Sequence, residues 1–208
     1  MSEELSRGWV RTEREVALRR AHARQLVGAR LAEVRYLTLD YRGWDKGYRE
    51  GSTRAITDPV ELHDPTRLGN GFHSVDQEVE LQAADGRVFS IGWDTPGRES
   101  LRFRFGSQIP SYSGGAVWTV TQQPPWSACV GQTISDVLLH YHPWSDSEPG
   151  YWCTRATIVV EHNRVEIILG GWASPNSALG PAADNLAVLL DPDSLPDFER
   201  SLRTVEPL

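Results

Sequence analysis

The order of strands and turns in this chain is written twice. Val27-Gly28 is answered by Val130-Gly131, and Leu31, Val34 and Tyr36 are answered by Ile134, Val137 and Leu139 at a constant offset. Arg87-Val88 is answered by Arg164-Val165, Gly92-Trp93 by Gly171-Trp172, and Leu101, Phe103 and Phe105 by Leu186, Val188 and Leu190. Agreement in order, spacing and residue type across four strands reads as an internal duplication, because each copy must bury an equivalent apolar face. A plain run of antiparallel strands and turns is the simpler alternative.

The period-two patterning within each copy sets the fold class. We expect a mainly β (α+β) protein of two internally duplicated four-stranded antiparallel meanders. They form a sandwich or one continuous curved sheet, with an N-terminal helix and a short C-terminal helix. Residues 1–105 then hold the N-terminal helix and first repeat, 106–128 an irregular joint, and 129–208 the second repeat and C-terminal helix. A chain of this length buries roughly 70% of its unfolded surface, so the three parts are expected to form one compact unit.

Local signals fill in the elements. Thr12 and Glu15 have the S/T-x-x-E spacing of a capping box, which predicts a helix from there to about Leu26, and Gly28 supplies a left-handed stop. Val34 to Tyr41 reads as a strand with apolar groups on both faces, and residues 42–74 as a polar loop region. A hairpin follows at Ala84-Asp85-Gly86. A two-residue Asp-Gly turn would set Leu81 against Ser90, whereas a three-residue turn ending in a left-handed Gly86 sets Leu81 against Phe89 and Val79 against Ile91. Only the second makes one apolar face. Asp94-Thr95-Pro96-Gly97 is a second turn, Val117 to Val120 a short strand in the joint, and Ser194-Leu195-Pro196 the opening of a helix through Leu202.

Composition excludes several functions. The formal net charge of −7 disfavours a phosphate backbone as partner, since nucleic-acid binding draws on clustered Lys and Arg. Acid and base alternate through the first twenty residues, which lack the apolar stretch of a secretory signal, so the chain reads as cytoplasmic. No apolar run is long enough to span a bilayer, and no membrane association is expected. The two cysteines, Cys129 and Cys153, read as reduced and buried.

Few residues suggest chemistry. His140 and His142 are two apart on a strand, so both imidazoles lie on one face, and such a pair can ligate zinc. Asp146, His63, Asp64 or His73 would have to supply a third ligand, and none stands at a diagnostic spacing, so no metal site is assigned. His63-Asp64 precedes Pro65 in a loop and reads as a capped turn. Phosphate-cradling glycine loops and a nucleophile elbow are missing, and no cofactor is expected.

The eight tryptophans are the most unusual feature. Trp93 and Trp172 hold equivalent repeat positions and read as structural, whereas Trp44 and Trp144 lie just beyond the equivalent first strands and read as exposed. With Tyr41, His140 and His142 they would crowd one rim, and these five residues form the candidate binding set. We therefore expect a non-catalytic protein-binding module, for which an immunity- or antitoxin-type inhibitor of a basic effector fits the size and charge, with a homodimer as the other association. The alternative is a small metal-dependent enzyme with its site between the repeats, using His140 and His142.

Overall fold

Thr12 opens the first helix as its spacing requires. In the computed structural model Glu15 N donates to Thr12 Oγ1 at 3.3 Å and Thr12 N to Glu15 Oε2 at 3.0 Å, so two backbone amides without helical partners are satisfied reciprocally. Helix α1 spans Glu13–Ala23, a 3₁₀ turn carries it to Leu26, and Gly28 takes the left-handed conformation with φ of 85°. The structure describes residues 8–40, 53–61, 66–94, 100–109, 114–172 and 178–206. The predicted turn at 95–97 and His63-Asp64 lie outside them.

Among the described residues fourteen strands follow in chain order. The first seven are β1 (Leu31–Leu39), β2 (Arg54–Ile56), β3 (Arg67–Leu68), β4 (Phe72–Val75), β5 (Glu78–Ala83), β6 (Val88–Trp93) and β7 (Leu101–Phe105). The rest are β8 (Gly115–Thr119), β9 (Ile134–Pro143), β10 (Tyr151–Val160), β11 (Asn163–Leu169), β12 (Gly171–Trp172), β13 (Leu179–Gly180) and β14 (Leu186–Leu189), after which helix α2 spans Asp197–Ser201. They build two six-stranded sheets, ordered β2-β8-β1-β5-β6-β7 and β3-β4-β14-β11-β10-β9, plus the β12-β13 pair. Each large sheet contains one meander, β1-β5-β6-β7 or β9-β10-β11-β14, with two further strands added at one edge.

The hairpin register is the bulged one. Val79 faces Ile91 and Leu81 faces Phe89, and Gly86 sits at φ of 86° where only glycine is unstrained. One correction concerns residues 42–74, expected as loop: within its described part the chain forms β2, β3 and β4. These strands are two to four residues long and add to edges that other strands have already built, so they carry no periodic signal of their own.

The inner faces of the two sheets close on a single core. Val34, Leu81, Phe89, Ile91 and Phe103 from one sheet belong to the same buried cluster as Val137, Leu139, Ile158, Ile167 and Val188 from the other. Three polar groups at this core pair in a chain: Trp126 Nε1 donates to Tyr36 Oη at 2.7 Å, and Tyr36 Oη, its lone pair so engaged, donates to His73 Nδ1 at 3.0 Å. Burial holds the His73 imidazole down to about pKa 4, so it stays neutral and keeps the lone pair that Tyr36 needs. Cys129 and Cys153 are free and buried, and burial raises both thiols, that of Cys129 to about 11.

Trp93 and Trp172 are built into the structure. Trp93 Nε1 donates to the Asp76 carbonyl at 2.6 Å. Trp172 packs on Phe72 at a ring separation of 4.3 Å with the Arg67 guanidinium 3.8 Å from its ring centroid. Gly69 has no room for a side chain there, because a Cβ would lie 2.6 Å from Trp172 Cη2.

Candidate functional site

The outward face of the second sheet brings the candidate histidines together. Leu138, His140 and His142 alternate on β9 with the core residues Val137, Leu139 and Tyr141, as a period of two demands. Across the ladder Arg155 stands opposite His140 and Trp152 opposite His142. Thr154 is skipped in that pairing, an extra residue on β10. Successive strand residues normally point to opposite faces, and the bulge lets Thr154 and Arg155 both turn toward the same carboxylate.

That carboxylate is Glu199, from α2. Its Oε1 accepts from Thr154 Oγ1 at 3.0 Å and lies 3.2 Å from Arg155 Nε and 3.5 Å from His142 Nε2. Leu195 and Phe198 hold the helix down by packing on a small apolar cluster of Phe72, Ile168, Ala187 and Leu189, and this buries Glu199 against the sheet. Among the described residues Glu199 Oε2 has no hydrogen-bond partner.

His140 sits in a chain of fixed polarity. A guanidinium can only donate, so Arg155 Nη2 at 3.0 Å from Nδ1 makes that nitrogen the acceptor and places the proton on Nε2. Nε2 then donates to Thr157 Oγ1 at 2.8 Å, and Thr157 donates to Glu166 Oε2 at 2.7 Å. Burial, reinforced by the Arg155 charge, brings the His140 pKa down to about 4. Arg164 Nε closes the row at 3.1 Å from Glu166 Oε1, although burial still raises the Glu166 carboxyl above the usual range. Both His140 nitrogens are therefore committed, which leaves no lone pair for a metal or for general base work.

His142 is buried rather than exposed, and its Nδ1 donates to the Arg203 carbonyl at 3.0 Å as the C-terminal segment passes β9. Val205 N reaches the Tyr141 carbonyl at 2.8 Å on the same strand, and Arg20 from α1 bonds the carbonyls of Leu139 and Val205. Trp144 is half-buried, against Trp152 in an edge-to-face pair with centroids 5.6 Å apart. Tyr41 and Trp44, the remaining members of the predicted set, lie outside the described residues. Among the described residues no group of three or more His, Cys, Asp and Glu is placed to hold a metal ion, and no helix is long and apolar enough to cross a membrane.

The sequence reading missed Arg155, Thr157, Glu166 and Glu199. A signal did exist for the last. Leu195, Phe198 and Leu202 form an apolar stripe at helical spacing, and Glu199 falls inside it, four residues after Leu195 and three before Leu202. A carboxylate within an apolar stripe is a buried carboxylate that needs partners.

Cavities among the described residues flank this face. One of about 290 Å³ is bounded by Arg20, Leu138, His140 and Val205, between α1 and the C-terminal segment. The other, of about 250 Å³, lies beside α2 and includes Trp152, Thr154 and Glu199 in its wall. The chain matches no family model, no curated protein and no solved structure.

Proposed function

We propose that the protein is a non-catalytic binding module that docks on a basic protein partner, in the manner of an immunity- or antitoxin-type inhibitor. The observation that carries this reading is the saturation of His140. The residue with the most catalytic character on this face is locked between Arg155 and Thr157, so it supports structure in place of turnover. A metal-dependent enzyme would need one of those nitrogens free.

Two further features support a protein partner. A charge of −7 attracts a basic surface and raises the rate of encounter with it. The Trp144–Trp152 pair, half-buried at the end of β9 and β10 where residues 144–150 connect them, offers the aromatic anchor that interface centres favour. The experiment is retention on the tagged protein from its native extract after nuclease treatment, repeated with Trp144→Ala, with stoichiometry measured by light scattering. The expected result is one basic partner at fixed stoichiometry, bound about tenfold or more weakly by Trp144→Ala. No stoichiometric partner, or equal binding by the variant, overturns the reading.

A further inference from the structure

We infer that the outer edge of β9 is a strand-addition site for an extended peptide carrying a branched aliphatic residue, and that the chain's own C-terminal segment occupies it. The inference stands apart from the basic-partner reading, since neither Trp144 nor the net charge enters it.

The edge comes first. β9 is the last strand of its sheet, so the backbone groups on its far side have no strand of that sheet beside them. The chain before β1 closes the lower part: Gly28 N donates to the Ile134 carbonyl at 2.9 Å, and Ile134 N to the Ala29 carbonyl at 2.8 Å. Asp136 Oδ1 takes the Val137 N–H at 2.8 Å, and Pro143 has no N–H to offer. The stretch 139–142 is left for a further strand.

The C-terminal segment already takes that place. Arg203 lies at His142 and Val205 at Tyr141, so the segment runs opposite to β9. His142 Nδ1 donates to the Arg203 carbonyl at 3.0 Å, Val205 N to the Tyr141 carbonyl at 2.8 Å, and Arg20 Nη2 to the Val205 carbonyl at 2.9 Å. All three bonds meet the segment's main chain, so none depends on which side chains it carries. In strand addition the main chain supplies affinity and pockets for side chains supply selectivity. The pocket here is the cavity of about 290 Å³, whose wall includes Val205 together with Val137 and Leu138. An aliphatic side chain therefore suits the position of Val205.

The resident segment is lightly held. Arg203, Thr204 and Glu206 are exposed. Among the described residues their side chains add one ion pair, Arg203 Nη2 to Asp146 Oδ1 at 3.0 Å, which is exposed at both ends and contributes little. A second extended peptide can compete for the same groups.

The test uses the full chain and a fluorescein-labelled peptide of its own residues 201–208, read by fluorescence anisotropy. Val205→Pro removes the N–H that bonds the Tyr141 carbonyl and so frees the edge. The peptide is expected to bind Val205→Pro one to one, at least about tenfold more tightly than the parent, whose own segment competes. N-methylvaline at the Val205 position of the peptide is expected to abolish that binding, and Thr204→Ala in the peptide to preserve it. No binding to Val205→Pro, equal binding to the parent, or equal binding of the N-methyl peptide overturns the inference. Dimerisation of Val205→Pro without peptide, measured by light scattering, also overturns it and assigns the edge to a second copy. Should Val205→Pro not fold, Val205→Gly, which removes the aliphatic anchor, is held to the same criteria.

Discussion

The carboxylates buried at the outer faces of the two sheets are held in different ways. In the first sheet Glu80, with no solvent exposure, is enclosed by donors from three parts of the chain. Arg35 Nη2 lies at 3.0 Å from Oε2, Ser107 Oγ at 3.0 Å and Gln108 N at 2.6 Å from Oε1. Its neighbour Glu78 pairs with Arg102 and is packed so closely that a Cβ at Gly92 would lie 2.8 Å from its Cγ. Against the second sheet Glu199 of α2 is tied through Oε1 alone among the described residues. The first arrangement fixes a loop onto a sheet. The second fixes a short helix onto a sheet and leaves one oxygen without a partner among the described residues, and burial of charge by itself does not distinguish the two.

Replacing the enclosed carboxylate sharpens this contrast most. Glu80→Ala leaves Arg35 without its buried partner and is expected to lower unfolding free energy by about 3–5 kcal/mol in urea titration. Glu199→Ala is expected to cost at least about 1 kcal/mol less, because Arg155 keeps Glu166 and His140. Equal losses would break the comparison.

The hydroxyls come next. Thr157→Val interrupts the hydroxyl link between His140 and Glu166, leaving Arg155 as the bridge between them, and is expected to cost about 1–3 kcal/mol. Ser90→Ala, facing Glu80, is expected to cost about 1 kcal/mol or less, since Glu80 retains Arg35, Ser107 and Gln108.

Acid probes the same difference. The His140 and His73 pKa values are lowered from 6.5 to about 4, so each favours the folded state fully above pH 6.5, and that contribution is lost as pH falls toward 4. Each adds a slope of up to about 1.4 kcal/mol per pH unit. Glu166 and Glu78 have raised values and act in the opposite direction, their contribution being present in acid and lost as pH rises through their folded values. The expected result is a net loss of stability between pH 6.5 and 4, with a shallower slope in His140→Gln. An unchanged slope would mean that His140 does not titrate as its surroundings require. At the surface, Asp193→Ala removes an exposed pair with Arg164 and is expected to cost below about 1 kcal/mol.

The sequence made some of this legible and not the rest, for physical reasons. The Leu81–Phe89 register followed from turn chemistry and a single apolar face, both local. The common face of His140 and His142 followed from the two-residue repeat. Their partners did not, because the bulge at Thr154 shifts the register by one residue and no local signal marks it. Short strands such as Phe72–Val75 were also hidden, since β14 defines them and their own residues do not. Glu199 was readable only as a misfit within an apolar stripe.

The threading of the chain has a consequence for its synthesis. The chain passes from the first sheet through β1 and β2, to the second through β3 and β4, back through β5 to β8, and then to the second again. Ser74 on β4 meets Asn185 across a separation of 111 residues. As the chain leaves a ribosome from its N-terminus, β4 has only its short neighbour β3 until β14 emerges. The second sheet is therefore the last to close, and its unpaired edge must be kept from other nascent chains until then.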